Sequence, residues 1–253
     1  MQTVNYVVDD GVAHITLNRP DNLNALSRQL SADIARAFAQ VEDDPAVRAV
    51  VLAGEGRAFC AGADLKDPDT HPATDIVGQL ISSRGAGVDT PVAFCTRPVI
   101  AAVHGWAVGA GVEMAIAADV VVGAETARFY LPQVSLGILP GAGGASRLTR
   151  VIGKEWASRM ILLGEKVDAP TALRIGLISE MVAADDLLGR ANELARSLAA
   201  LPPAAVRLAK QSIIDADDVP LRQALKADNY RLFILSGTDE KKSAHGAFAE
   251  ARQ

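Results

Sequence analysis

The 253-residue sequence predicts an α/β core followed by a helical tail. Three observations carry that reading. Short β-rich runs alternate with helix-spaced segments over the first half of the chain. From about residue 155 helical spacing takes over, and strand signals nearly vanish beyond 179–182. Hydrophobic residues make up 49% of the chain and aromatic ones only 4%, so the core is built from small and aliphatic side chains. With 22% charged residues this is no disordered chain, and its length suits one large domain or one with an appendage.

The elements follow in order. Residues 4–8 and 12–17 are β-rich runs around Asp9-Asp10-Gly11, a hairpin signal. Ser27 can cap a helix whose Leu30, Ile34, Phe38 and Val41 recur at four, four and three residues. Residues 47–53 read as a buried strand ended by Gly54-Glu55-Gly56. The polar stretch 66–92, with Pro68, Pro72, Gly78, Gly85, Gly87 and Pro91, reads as a long surface loop with room for one helix, a candidate lid. A strand is expected at 99–103, a glycine turn at 105–111, a helix to about Ala118, and a strand at 120–122. Pro170 sits at a helix start, and 185–200, 203–216 and 221–235 are helical by spacing, with Pro202-Pro203 punctuating the tail.

Several function classes are disfavoured at once. A net charge of −5 and a pI near 5.4 leave no basic footprint for nucleic acid. The opening residues lack a basic segment and a continuous apolar stretch, which points to a cytoplasmic protein without a secretory signal. Residues 98–124 are strongly apolar, but His104, Glu113 and Asp119 interrupt them and Gly105, Gly109 and Gly111 weaken them as a helix, so no membrane span is expected. Cys60 and Cys95 read as two reduced, buried thiols. His14, His71, His104 and His245 show no metal-ligand spacing, and no metal site is expected.

Three glycine clusters stand out: Gly62-Ala63-Asp64, Gly109-Ala110-Gly111 and Gly141-Ala142-Gly143-Gly144. None completes a dinucleotide fingerprint, no phosphate-binding GxxxxGK[ST] is present, and the GxSxG nucleophile turn is absent because Gln133 stands two residues before Ser135. Glycine turns that open helices expose backbone N–H groups, and two of them from different turns could grip one oxyanion. Tight strand-to-helix packing is the other use of such clusters, and taken singly it accounts for each of them.

Taken together, five segments in order resemble the crotonase superfamily, the enoyl-CoA hydratase/isomerase family. They are GRAFCAGADLK at 56–66, PVIAAVHGWAVGAGVE at 98–113, LGILPGAGGASRL at 136–148, LNRP at 17–20 with LNAL at 23–26, and TDEK at 238–241 with Ala247-Phe248. The resemblance spans essentially the whole chain. It implies a crotonase-like α/β spiral of ββα units over 1–195 and a helical trimerisation region over 196–253, assembled as a homotrimer or a dimer of trimers. It implies an acyl-CoA thioester as substrate, with no separate cofactor, its carbonyl gripped by the N–H groups of Ala63 and Ala110. Position 110 is more often glycine in the family. Ala61, Ala63, Asp64, Leu65 and Lys66 would line the CoA site, Lys66 facing a phosphate, although a solvated surface lysine would look the same in sequence.

Family hydratases use two glutamates. Glu113 matches the first position and lies in an otherwise apolar segment, where a carboxylate is either used or bonded to a neighbouring backbone group. The second should fall in YLPQVSLG at 130–137, where this chain has Gln133. An amide orients a water or a carbonyl but exchanges no proton near neutral pH. Either Glu113 makes both transfers, or an acid enters from the lid (Asp67, Asp69, His71 or Asp75), or the chemistry differs. Hydration of a 2-enoyl-CoA to a 3-hydroxyacyl-CoA leads; an isomerase or decarboxylase using one glutamate, or a non-catalytic acyl-CoA binder, are the alternatives.

Overall fold

In a computed structural model the chain is described over residues 1–67, 89–241 and 243; most of the expected lid, with Asp69, His71 and Asp75, lies outside these residues, as do His245 and Ala247-Phe248. The core is a six-stranded sheet in the order β1 (Val4–Asp9), β2 (Val12–Leu17), β3 (Ala49–Gly54), β4 (Val99–Val103), β6 (Val120–Ala124) and β9 (Glu180–Val182). Only β1 and β2 pair antiparallel. Their connection places Asp10 at φ +47° and Gly11 at φ +76°, the left-handed pair that an Asp-Gly hairpin turn requires. Strand β3 begins at Ala49, two residues later than the sequence suggested.

Both faces of the sheet are covered, so its central strands are apolar throughout. Val50, Leu52, Ala101 and Val103 face α1 (Arg28–Asp43), whose Leu30, Ile34, Phe38 and Val41 are buried as their spacing predicted. Ser27 caps that helix, its Oγ accepting from Leu30 N at 3.2 Å. On the other face Val51, Ala53, Ile100 and Ala102 meet α6 (Leu187–Ala199) through Leu187, Ala191, Ala195 and Ala199. Alanine at every fourth position lets that helix lie close to the sheet, which is one use of the small-residue composition.

A second sheet was not anticipated. It joins β5 (Trp106–Val108), β7 (Arg128–Tyr130) and β8 (Val167–Asp168). These strands are too short to show periodicity, and β5 fell inside what read as a glycine turn. Bridges from Ala58 to Gly105 and from Cys60 to Ala107 tie the segment after β3 to this sheet. The intervening helices are α2 (Asp89–Ala93), α3 (Ala110–Ile116), α4 (Gly144–Leu162), broken at Gly153 (φ +76°), and α5 (Ala169–Ile175). Asp168 caps α5 by accepting from Thr171 N at 3.0 Å, one residue before Ala169-Pro170. Helix α4 starts at Gly144, eleven residues before the change of pattern read at 155, for a reason found in the site below.

The tail is α7 (Pro203–Asp218) and α8 (Leu221–Ser236). The buried residue of α7 is a lysine: Lys210 Nζ donates to Asp119 Oδ2 (2.6 Å) and to Arg97 O (2.9 Å). Lys210→Met would leave the Asp119 carboxylate, 28% exposed, without its cation. We expect a loss of about 3 kcal/mol, the lower end for a broken buried pair, read as a lower urea midpoint at unchanged slope; an unshifted midpoint would show that the pair is neutral. The two cysteines are free and buried, and burial pushes both thiols up to about 12. No helix among the described residues is long and apolar enough to cross a membrane.

Candidate active site

Two backbone turns meet, one in the segment after β3 and one after β5. The first carries Gly62-Ala63. It is held by a parallel bridge in which Leu26 N donates to Gly62 O (2.7 Å) and Asp64 N donates to Leu26 O (3.0 Å). The intervening Ala63 N–H points away from Leu26 and has no acceptor among the described residues. The second turn carries Gly109-Ala110. Gly109 N donates to Tyr130 O (2.8 Å), and Ala110 opens α3, where an N–H has no intrahelical acceptor. Cys60 N to Trp106 O (3.1 Å) and Val108 N to Cys60 O (2.9 Å) lock the turns together.

Glycine is what permits this approach. A Cβ on Gly62 (φ +87°) would sit 2.7 Å from Val108 O and 3.7 Å from Ala110 N, and one on Gly111 would collide with Cys60 O. The first two clusters therefore do both things their sequence allowed: they pack tightly, and the packing brings together two N–H groups that have no acceptor among the described residues.

Glu113 follows on α3 and is 3% exposed. Its Oε1 accepts from Ala142 N (2.9 Å) and Gly144 N (3.1 Å). The third cluster is thus a carboxylate cradle. A Cβ on Gly144 would lie 2.7 Å from Glu113 Oε1, so this position must be bare. Gly143 (φ +93°) supplies no side-chain cap, and the anion of Glu113 stands at the start of α4 instead. That explains why the start of α4 was hidden: its cap lies about thirty residues away in sequence. The backbone-bonded reading of Glu113 is met at Oε1, while Oε2 faces Gln133.

Gln133, 8% exposed, opens a short 3₁₀ turn (Gln133–Leu136). Its Nε2 donates to Glu113 Oε2 over a long 3.4 Å, and its Oε1 is buried without a partner among the described residues. A Cβ on Gly109 would be 3.4 Å from Nε2, so the amide also borders the Ala110 turn. The residues named from sequence at 63, 110, 113 and 133 are thereby brought together.

The segment 61–66 is more divided. Ala61 N donates to Leu23 O (3.0 Å). Asp64 Oδ2 pairs with Arg19 Nη2 (3.0 Å) and Oδ1 accepts from Lys66 N (3.1 Å), so its side chain shapes the turn. Leu65 is 73% exposed, and Lys66 is exposed too. Asp67 Oδ2 accepts from Arg28 N (2.9 Å) at the start of α1, which ties this lid acid to a helix end. Sequence reasoning missed Asn24, buried at φ +53° and bonded to Arg19 N (2.8 Å), Glu55 O (2.9 Å) and Ala58 O (2.8 Å). An asparagine in the LNAL run was the available signal; it anchors the loop that leads to Ala63.

The sequence profile described as enoyl-CoA hydratase/isomerase matches residues 8–253. The chain is 37% identical over 238 residues to the 2,3-dehydroadipyl-CoA hydratase of Escherichia coli, covering 94% of this chain and 92% of that protein. It is 35% identical over 243 residues to the short-chain-enoyl-CoA hydratase of Clostridium acetobutylicum, covering 96% and 92%. The crystal structure of enoyl-CoA hydratase from Bacillus anthracis superposes with a TM-score of 0.91 at 33% identity, covering 99% of this chain and 97% of that one. By sequence along its whole length and by fold, the chain belongs to the enoyl-CoA hydratase/isomerase family.

Proposed function

We propose that the protein hydrates a 2-enoyl-CoA thioester to the 3-hydroxyacyl-CoA, with Glu113 as its single working carboxylate. The observation that carries this is the meeting of two N–H groups, Ala63 and Ala110, without acceptors among the described residues, beside a carboxylate whose Oε1 is held by two backbone N–H groups. The thioester oxygen lies between the two N–H groups. Glu113 Oε2 takes a proton from water as the water oxygen bonds to Cβ. The electron pair moves through Cα into the carbonyl, and the resulting enolate oxygen is held by the two donors. The proton then passes from Glu113 to Cα, which restores the carboxylate; one water has been added. Gln133 transfers no proton. Its buried Oε1 accepts from the water and fixes its approach. Ala61, Ala63, Asp64, Leu65 and Lys66 form the CoA side, with the exposed Leu65 and Lys66 at the rim.

Mass spectrometry after incubation with 2-enoyl-, 3-hydroxyacyl- and malonyl-type CoA thioesters tests this directly. Gain of one water by the enoyl thioester is expected; loss of CO₂, migration of the double bond alone, or no change would overturn it. Ala110→Pro tests the oxyanion grip. Proline is tolerated at a first helical position, so the fold survives while one N–H is deleted. Turnover should fall about 10²–10³-fold, and a folded variant at full rate would remove Ala110 from the site.

The unit at 196–253 is read as the assembly region of a trimer or a dimer of trimers. Support comes from its apolar surface: Ile213, Leu221 and Phe233 are 72%, 73% and 81% exposed in the single chain. Sedimentation equilibrium at micromolar concentration would give the mass directly, and a monomer would end this part of the reading.

A further inference from the structure

A cavity of about 540 Å³ is lined by residues of β5, β7 and β8 and of the helices α4 and α5, none of them among residues 61–66, 110, 113 and 133 of the site above. Its walls include Trp106 and Trp156, and its charges are Arg128, Arg159, Lys166 and Arg174 against Glu165 and Asp168. Both carboxylates are already engaged. Glu165 takes a two-point contact from Arg159, at 2.6 and 3.0 Å, and Asp168 caps α5. The remaining cations are held differently. Lys166 Nζ stands 5.8 Å from the Trp106 ring centre and 5.2 Å from that of Tyr130, and the Arg174 guanidinium stands 5.9 Å from that of Trp156. Arg128 donates to the backbone carbonyls of Glu125 (3.3 Å) and Ala127 (2.8 Å).

A ring face or a carbonyl positions a cation without cancelling its charge. Arg128 faces Asp168 across the β7–β8 pair, and the hydrogen bonds from Thr171, helped by the Arg128 charge, hold that carboxyl below the usual carboxylate range. Lys166 and Arg174 make no ion pair among the described residues. A chain of net charge −5 thus keeps four cations against two carboxylates in a cavity with indole walls, leaving Lys166 and Arg174 as the cations without a carboxylate partner among the described residues. The volume lies in the range of small-molecule sites and far exceeds one inorganic phosphate. We propose that this cavity binds an organic phosphate of about mononucleotide size, at a place distinct from the acyl-CoA site. Such a ligand has two sources of the same chemistry, a free nucleotide or the phosphorylated nucleotide end of CoA itself.

The chain has two tryptophans, and both line this cavity, so indole emission reports on it. The full-length protein is titrated with ADP, with CoA and with inorganic phosphate, exciting at the red edge of indole absorption. ADP is expected to change the emission saturably. Lys166→Gln and Arg174→Gln should each weaken this by about tenfold or more, while Lys66→Gln, at the rim of the acyl-CoA site, leaves it unchanged. An equal response to CoA, also insensitive to Lys66→Gln, would identify the CoA end as a second source for the same cavity. The proposal fails if ADP gives no saturable change, if the Lys166 and Arg174 variants respond like the parent, if Lys66→Gln abolishes the response, or if inorganic phosphate binds as tightly as ADP. Hydration activity does not enter these readouts, so they fail or succeed independently of the reaction proposed above.

Discussion

Glu113→Gln is expected to cut turnover on a 2-enoyl-CoA thioester by about 10²–10⁴-fold, with CoA-ester affinity held within a few fold. The structure makes this substitution unusually clean. The new Oε1 can still accept from Ala142 N and Gly144 N, so the side chain keeps its place in the cradle. Its amide nitrogen then falls where Oε2 was, facing Gln133. A half-turn of the Gln133 amide would bring its unpartnered Oε1 round to accept from it. The variant should therefore melt at or above the parent temperature while losing its chemistry. Rate and melting temperature are measured together. Unchanged hydration would take Glu113 out of the mechanism, and a large fall in melting temperature would show that the side chain serves mainly to hold the α4 start.

How much of this was legible in the sequence depends on how local each cause is. The hairpin at Asp10-Gly11 and the Ser27 cap are decided within a few residues, and both stood where spacing and turn chemistry put them. Helices α6, α7 and α8 were found because their apolar or Pro-punctuated spacing runs over three turns or more. The small sheet escaped because strands of two or three residues carry no period, and their pairing, Trp106 with Arg128 and Arg128 with Asp168, is entirely long-range. The site shows the same division. That the turns at 63 and 110 expose N–H groups follows from local glycine geometry. That Ala142 and Gly144 cradle Glu113 does not, because their partner comes from another helix. Nor does the engagement of Asp64 by Arg19 and of the expected lid acid Asp67 by Arg28 N, which gives both acids structural work. Spacing marked α7 and α8 only as helices, and an assembly role for 196–253 came from the resemblance alone; the exposure of their apolar side chains is visible only in the folded chain.

Gln133→Glu is expected to raise the hydration of a short 2-enoyl-CoA thioester, by about 10²–10⁴-fold if proton delivery to Cα limits the parent enzyme. The new carboxyl would replace an amide whose nitrogen lies 3.4 Å from Glu113 Oε2 in a buried setting. Two carboxylates so close cannot both stay ionised, and the pair retains one proton near neutrality. That shared proton is the acid the native site lacks: one member activates water while the other protonates Cα. The same coupling sets a cost in stability with a defined sign. The pair binds a proton more tightly folded than unfolded, so the penalty is absent at pH below the unfolded carboxyl values. It grows as pH rises through the folded one. The gap in melting temperature between parent and variant should therefore widen from acid toward neutral pH while the hydration rate rises. A variant destabilised in this way with no gain in hydration would show that the pocket around Gln133 is shaped for a step other than protonation at Cα. A variant whose melting temperature shows no dependence on pH relative to the parent would show that the two side chains do not face each other in solution.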